Sequence, residues 1–257
     1  MIVEKLNEAY SQRALGEAGS PWIPRPSQLG GCLREAAWLL SGAPREPRSP
    51  ESLRLLELGT QRGEALEALA KTCWPDAEVQ VPVEIPVPWG QMPGTVDLWI
   101  PSLRTIVDFK TAGAYSMGLI VSGEKQDEGY ALQLNAYRHG IAARMNPPDV
   151  LSYVCEIGTI RTVLVYEAKD SDARKGVTAG MLHEVEIPYT AALEEAYSSR
   201  LQSWKTLLEA QRSGSLDPLS VEGMPKDAKG KPHWKCRCSP DGRPLYCSVG
   251  PVRGSCE

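Results

Sequence analysis

The spacing of apolar residues along this chain changes period twice. Over residues 51–73, Leu55, Leu58, Leu66 and Leu69 recur near helical spacing, which predicts a helix with an apolar stripe. From Ala77 the period shortens to two. Val79, Val81 and Val83 alternate with Gln80 and Pro82, and Ile85 and Val87 follow. With Val96–Ile100 and Thr105–Phe109, and turns at Trp89-Gly90-Gln91 and Pro101-Ser102, this predicts a three-stranded antiparallel meander. Residues 126–145 return to helix. Val163–Ala168 and Glu184–Ile187 read as further strands, the former central. Ala191–Ser213 reads as a long helix with Leu193, Tyr197, Leu201, Trp204 and Leu208 along one stripe. Upstream, residues 1–20 predict a polar helix, and Pro21–Pro26 interrupt it. Ser27 is placed to cap a short helix running to Leu40, and residues 42–50 form a proline-rich connector.

Helix, three strands, helix, two strands, helix is the order of an α/β (α+β) fold, a mixed sheet flanked by helices. The expected divisions are a helical arm over 1–26, a core over 27–223 and a cysteine-rich segment over 224–257. Composition changes this picture little. The chain has 257 residues, 42% hydrophobic and 23% charged, as an ordinary globular protein does. Its first residues lack a basic stretch followed by an apolar one, and no apolar run reaches membrane-spanning length. A cytoplasmic protein without membrane partners is therefore expected. The net charge of −4 gives no global support for a nucleic-acid partner, although a local groove can differ from the average.

The candidate chemistry begins at Gly94-Thr-Val-Asp97 and Val107-Asp108-Phe109-Lys110-Thr111. Alternation along a strand puts Asp108 and Lys110 on one side and the Phe109 side chain on the other. Two carboxylates suffice for a magnesium ion that keeps its waters, with the Phe109 carbonyl as a further ligand. A lysine beside them can steady an attacking water or a phosphate oxygen. The plainer reading is a simple Asp108–Lys110 ion pair. Glu64 and Glu67 lie three apart on the 51–73 helix; Glu64 reads as surface, whereas Glu67 can look into the site. Glu84 reads equally as an outward strand residue or an outer contact of the site. Gln133 and Tyr137 are i and i+4 and share a helix face, offering an amide and a hydroxyl. Arg34 and Lys169 are secondary candidates for phosphate contacts.

Seven cysteines are present, an odd number that argues against a disulfide framework. Cys73 and Cys155 sit in apolar runs and are expected to be buried. Cys236, Cys238, Cys247 and Cys256 crowd a Pro/Gly-rich tail that also holds His233, a density that suggests metal ligation in place of a core. Zinc and an iron–sulfur cluster both remain open, since the spacing matches neither standard pattern well.

Taken together, these motifs resemble the RecB-like branch of the PD-(D/E)XK nucleases, over about Ser27 to Cys247. The nearest likeness is to phage exonucleases and to CRISPR-adaptation nucleases that carry a [4Fe–4S] cluster. Gly59-Thr-Gln-Arg-Gly63-Glu64-Ala-Leu-Glu67 is similar to the first family motif, Gly94-Thr-Val-Asp97 to the second, Asp108-Phe-Lys110-Thr111 to the third, and Gln133-Leu-Asn-Ala-Tyr137 to the last. The resemblance implies a restriction-endonuclease-like core with Mg²⁺ or Mn²⁺ on Asp97, Asp108, Phe109 and Glu67. Lys110, Gln133 and Tyr137 would then act on DNA, most simply as an exonuclease in recombination, repair or phage replication. Partners in recombination or replication and a homo-oligomer are compatible with it. It also implies a cluster on Cys32, Cys236, Cys238 and Cys247 that joins the two ends of the chain, with Cys256 a competitor and Zn²⁺ the alternative metal. One departure stands out. The first motif usually supplies a metal-binding histidine where this chain has Gly63, so a substitute carboxylate, weaker metal affinity or a catalytically silent, binding-only protein are the options.

Overall fold

The computed structural model describes residues 2–18, 23–43, 47–124, 128–145 and 157–221. They form a mixed α/β fold with helices α1 (Ile2–Ala18), α2 (Leu33–Leu40) and α3 (Pro50–Cys73), then strands β1 (Glu78–Val87), β2 (Gly90–Ile100) and β3 (Thr105–Ala112). Helices α4 (Ala114–Val121) and α5 (Glu128–Met145), strands β4 (Arg161–Ala168) and β5 (Leu182–Glu186), and helix α6 (Ala191–Arg212) complete it. The chain divides into two compact units: Pro24–Gly30 with Glu57–Arg200, and Met1–Ile23 with Gly31–Leu56 and Leu201–Glu257.

The first of these units is built on a five-stranded sheet in the order β1-β2-β3-β4-β5. β1, β2 and β3 pair antiparallel, as the period-two pattern predicts. β4 then joins β3 in parallel, and β5 joins β4 antiparallel. A parallel neighbour requires a crossover, and α4 and α5 supply it. α4 was not foreseen, because Ala114-Tyr-Ser-Met-Gly-Leu-Ile-Val is apolar nearly all round and shows no amphipathic period. Its first free amide, Ala114 N–H, is taken by Asp170 Oδ1 from the loop after β4. β4 lies inside the sheet, one place from the middle.

Leu98, Ile100, Val107 and Val163 pack with Ala70 of α3 and Ala77, with Val79, Phe109 and Val165 at the margin. Each apolar side chain fully withdrawn from water here contributes about 1.5–3 kcal/mol. α5 lies against β1 so closely that a methyl group at Gly140 would come within 2.9 Å of Val83 and 3.0 Å of Ile85. Val79 and Val83 would share a face in a regular strand, yet one packs beside Ala70 and the other against α5. The break between them is Gln80, whose φ is +50°.

The α3 helix forms as predicted, but its buried face does not follow the leucines. Leu55, Leu58 and Leu69 are exposed, and in the sheet-bearing unit Glu67 and Ala70 are buried. Gly59, Gly63, Glu67 and Ala70, spaced four, four and three, share one helix face, and Gly59 comes close to Thr111 at the end of β3. Cys73 is exposed rather than buried, since it ends the helix beyond that face.

In the second unit, Arg54 donates to Asn7 Oδ1 (2.8 Å) and lies over the Tyr10 ring, while Arg34 donates to the Val221 carbonyl (2.7 Å). Ala14, Ala36, Leu53, Trp204 and Leu207 are buried there.

Candidate active site

The β2–β3 ladder pairs Ile100 with Thr105, Trp99 with Ile106 and Leu98 with Val107, and then stops. Its next rung would join Asp97 to Asp108. At that point Asp97 Oδ2 instead accepts the Phe109 N–H (2.9 Å), so a side chain takes over from a backbone partner. The result is a fork between two strands with one carboxylate on each side. Asp108 is 1% exposed, and Asp97 is half-buried. Lys110 shares the face of Asp108, as strand alternation requires, and forms an ion pair with Asp108 Oδ2. Its ammonium also lies 5.0 Å from the centroid of the Tyr130 ring.

α5 closes the site from one side. Gln133 Nε2 donates to Asp108 Oδ1 (3.1 Å) and to the Tyr137 hydroxyl (3.2 Å), and both residues are buried. Tyr130, Gln133 and Tyr137 therefore work along one helix face, at i, i+3 and i+7. Gly94 has to be small here. A methyl group on it would come within 3.1–3.2 Å of Pro26, Ile85 and the Tyr137 ring.

α3 brings a third carboxylate. Glu67 is 6% exposed, and its Oε1 accepts from Gln80 Nε2 at 2.6 Å. Gln80 stands in β1 between Val79, which faces Leu98, and Val81, which faces Val96, so its place in the ladder is opposite Asp97.

The electrostatics are those of a site short of positive charge. Burial pushes the Asp108 carboxyl up to about 6, with Lys110 opposing and Asp97 adding to the rise. Burial also raises Asp97, against the Phe109 N–H and Lys110. Glu67 is raised by burial, less the help of Gln80, and further by the charges of Asp97 and Glu64. Burial alone would lower Lys110, yet Asp108 outweighs it and the ammonium is held more firmly than usual. Burial and then Asp108 push the Tyr137 hydroxyl upward, so it stays protonated. Three carboxylates against one ammonium leave a surplus that a hard divalent cation would neutralise. Asp97 and Asp108 offer the one or two carboxylates that such an ion takes alongside water. Among the described residues, no three His, Cys, Asp or Glu side chains are grouped closely enough to share one metal. The fit is thus that of a two-carboxylate seat.

The remaining expected residues lie elsewhere. Glu64 and Glu84 are exposed. A side chain at Gly63 would meet nothing within 4 Å, so sterics do not exclude one. Lys169 is exposed after β4, and its N–H donates to the Ala112 carbonyl (2.8 Å) at the end of β3. Arg34 belongs to the other unit, as does Cys32, a partly buried free thiol at the N-terminus of α2. Cys155, His233, Cys236, Cys238, Cys247 and Cys256 fall outside the described residues, so the expected cluster lies there also. Two residues of the site went unread in the sequence. Tyr130 had a usable signal in its helical spacing to Gln133. Gln80 had none, because nothing in the sequence marks a glutamine that turns left-handed.

No family model matches the chain, and no curated protein does. Solved structures that it resembles include SSO0001, 18% identical over 83% of this chain and 88% of that one, with a TM-score of 0.46. An alkaline exonuclease from Laribacter hongkongensis (LHK-Exo) is 10% identical over 81% and 98%, with a TM-score of 0.44. A phage related exonuclease from Haemophilus somnus 129PT is 14% identical over 76% and 97%, with a TM-score of 0.42. No helix among the described residues is long and apolar enough to cross a membrane.

Proposed function

We propose that this protein is a metal-dependent deoxyribonuclease of the PD-(D/E)XK kind, acting from DNA ends. The observation that supports it most is the fork at Asp97 and Asp108, with Lys110 on the same face. Asp97 and Asp108 would hold Mg²⁺ or Mn²⁺, which when bound polarises a phosphate and lowers the pKa of water. Gln133 fixes the Asp108 carboxylate through Oδ1 and leaves Oδ2 to Lys110. Lys110 serves to orient the attacking water and to stabilise charge on the phosphate oxygen. Tyr130 limits where the ammonium can swing. Contacts to phosphate rather than to bases would give little sequence preference and a marked salt dependence. The cysteine tail, with Cys32, is proposed to bind a [4Fe–4S] cluster; iron content in anaerobic wild type and Cys32→Ala tests that separately.

A binding-only protein is the second reading, favoured by Gly63 standing where the first motif usually supplies a metal-binding histidine. One experiment separates the two. Linear DNA labelled at each end is incubated beside a sealed circle with Mg²⁺ or Mn²⁺, using wild type and Lys110→Ala. Loss of the linear DNA alone, reduced at least about a hundredfold by the substitution, is the expected result. Cutting of the circle would make the enzyme an endonuclease. Binding without cleavage under either metal would leave the silent reading standing.

A further inference from the structure

We propose that Gln80 is a positioning residue that holds Glu67 toward the cation seat of Asp97 and Asp108. The inference rests on the metal-site reading above and assigns a residue that no motif marks. Gln80 is one of two non-glycine residues with positive φ among the described residues. The other, Arg104, closes the turn after Pro101–Leu103, where left-handed backbone is common. Gln80 is the third residue of a ten-residue strand, where such a conformation costs about 1–3 kcal/mol. The pivot between the Val79 and Val83 faces needs only a backbone turn, which glycine would supply without strain. The side chain therefore calls for its own explanation, and it has one in the 2.6 Å hydrogen bond to Glu67 Oε1.

The choice of an amide is informative. Lysine or arginine at this place would neutralise Glu67 and ease its burial. A neutral donor fixes the direction of the carboxylate and leaves its full charge available. The place of Gln80 in the β1–β2 ladder is the unpaired rung opposite Asp97, and the charge of Asp97 reaches Glu67, so the carboxylate it steers lies on the side of the fork. Since Glu67 does not group with the two aspartates as a third ligand, its place is in the outer shell, facing waters that a bound magnesium or manganese ion retains. Groups of that kind typically change metal affinity by about 10–100-fold when removed.

The test is Mn²⁺ affinity, read from the electron paramagnetic resonance signal of free Mn²⁺, on the full chain. Gln80→Gly keeps the backbone turn and deletes the amide. Relief of the backbone strain is expected to offset the lost hydrogen bond to buried Glu67, so that the variant stays folded without metal and binds Mn²⁺ about tenfold or more weakly. Gln80→Asn keeps an amide and tolerates the left-handed region but is one methylene short, so a comparable loss is expected. Glu67→Gln should cause the loss by itself, and adding Gln80→Gly to it should cause no more. Wild-type affinity in Gln80→Gly, with affinity lost in Asp97→Asn, would overturn the role of Gln80 and leave the aspartate seat intact. Wild-type affinity in Asp97→Asn as well would overturn both.

Discussion

At the scale of residues, the two aspartates of the fork bind protons more readily in the folded chain than in the unfolded one. Asp108 moves from the ordinary 3.8 up to about 6, and Asp97 moves in the same direction. Between those values the folded state carries more protons, so stability falls as pH rises through that window. Asp97→Asn removes one of the facing charges, leaves the Lys110–Asp108 pair in place, and keeps an oxygen to accept the Phe109 N–H. Without metal, this variant should melt higher than wild type at about pH 7.5, by the equivalent of about 1–3 kcal/mol. The gain should shrink toward pH 4, where Asp108 is already protonated and no longer sets its charge against Asp97. Saturating Mn²⁺ should reverse the order, because only wild type keeps both carboxylates. Thermal melts at the two pH values, with chelator and with Mn²⁺, check all three statements. A variant that melts like wild type at every pH would show that the two charges do not meet across the fork.

At the scale of elements, two helical glycines make opposite predictions. Gly63 on α3 has open space around the position of a Cβ, so Gly63→Ala should stabilise by up to about 1 kcal/mol through helix propensity. At Gly140 on α5, a Cβ would come within 2.9 Å of Val83, and Gly140→Ala should cost about 1–3 kcal/mol. Urea denaturation of the pair checks both signs. The same two helices show what could be read in advance. Strand alternation at Val107–Lys110 was legible because a two-residue period fixes which side chains share a face, whereas at Val79–Val83 the left-handed Gln80 breaks that period. The antiparallel order of β1, β2 and β3 followed from it. The working face of α3 was legible only at Glu67, since Leu55, Leu58 and Leu69 trace the exposed side while Gly59 approaches Thr111 and Glu67 and Ala70 are buried. Hydrophobic periodicity reports where apolar residues lie, not which face a close helix–sheet approach demands. α4 left no periodic trace, and the parallel pairing of β3 with β4 depends on contacts that no local pattern encodes.

At the scale of the sheet-bearing unit as a whole, its cohesion on the side away from the fork depends on one buried cation. Arg138 of α5 is 1% exposed. Its guanidinium donates to the Ile160 carbonyl (3.0 Å), to Thr162 Oγ1 (2.7 Å) and to the Ile187 carbonyl, and so joins the helix to the start of β4 and the end of β5. Burial lowers its pKa to about 10, with Tyr189, Glu186 and Glu194 opposing, so it remains charged at neutral pH. Beside it, Glu194 accepts from Asn135 Nδ2 (2.9 Å) and meets His139 Nε2 (3.1 Å), and the His139 ring stacks on Tyr197. This network touches none of the fork residues directly, yet it fixes the helix that presents Gln133 and Tyr137. Arg138→Leu would remove the charge and take this donor from the buried Ile160 carbonyl, while Thr162 Oγ1 keeps its own bond to the Ile187 carbonyl (2.9 Å), at a cost of about 1–3 kcal/mol. Arg138→Lys should recover little, because one ammonium on a single stem cannot reproduce a planar fork that spans three acceptors. Hydrogen exchange gives the decisive pattern. Protection should fall in α5, β4 and β5 for both variants, while α1 and α2 in the other unit keep theirs. Equal losses across both units would show that the chain unfolds as one body and that Arg138 supports all of it.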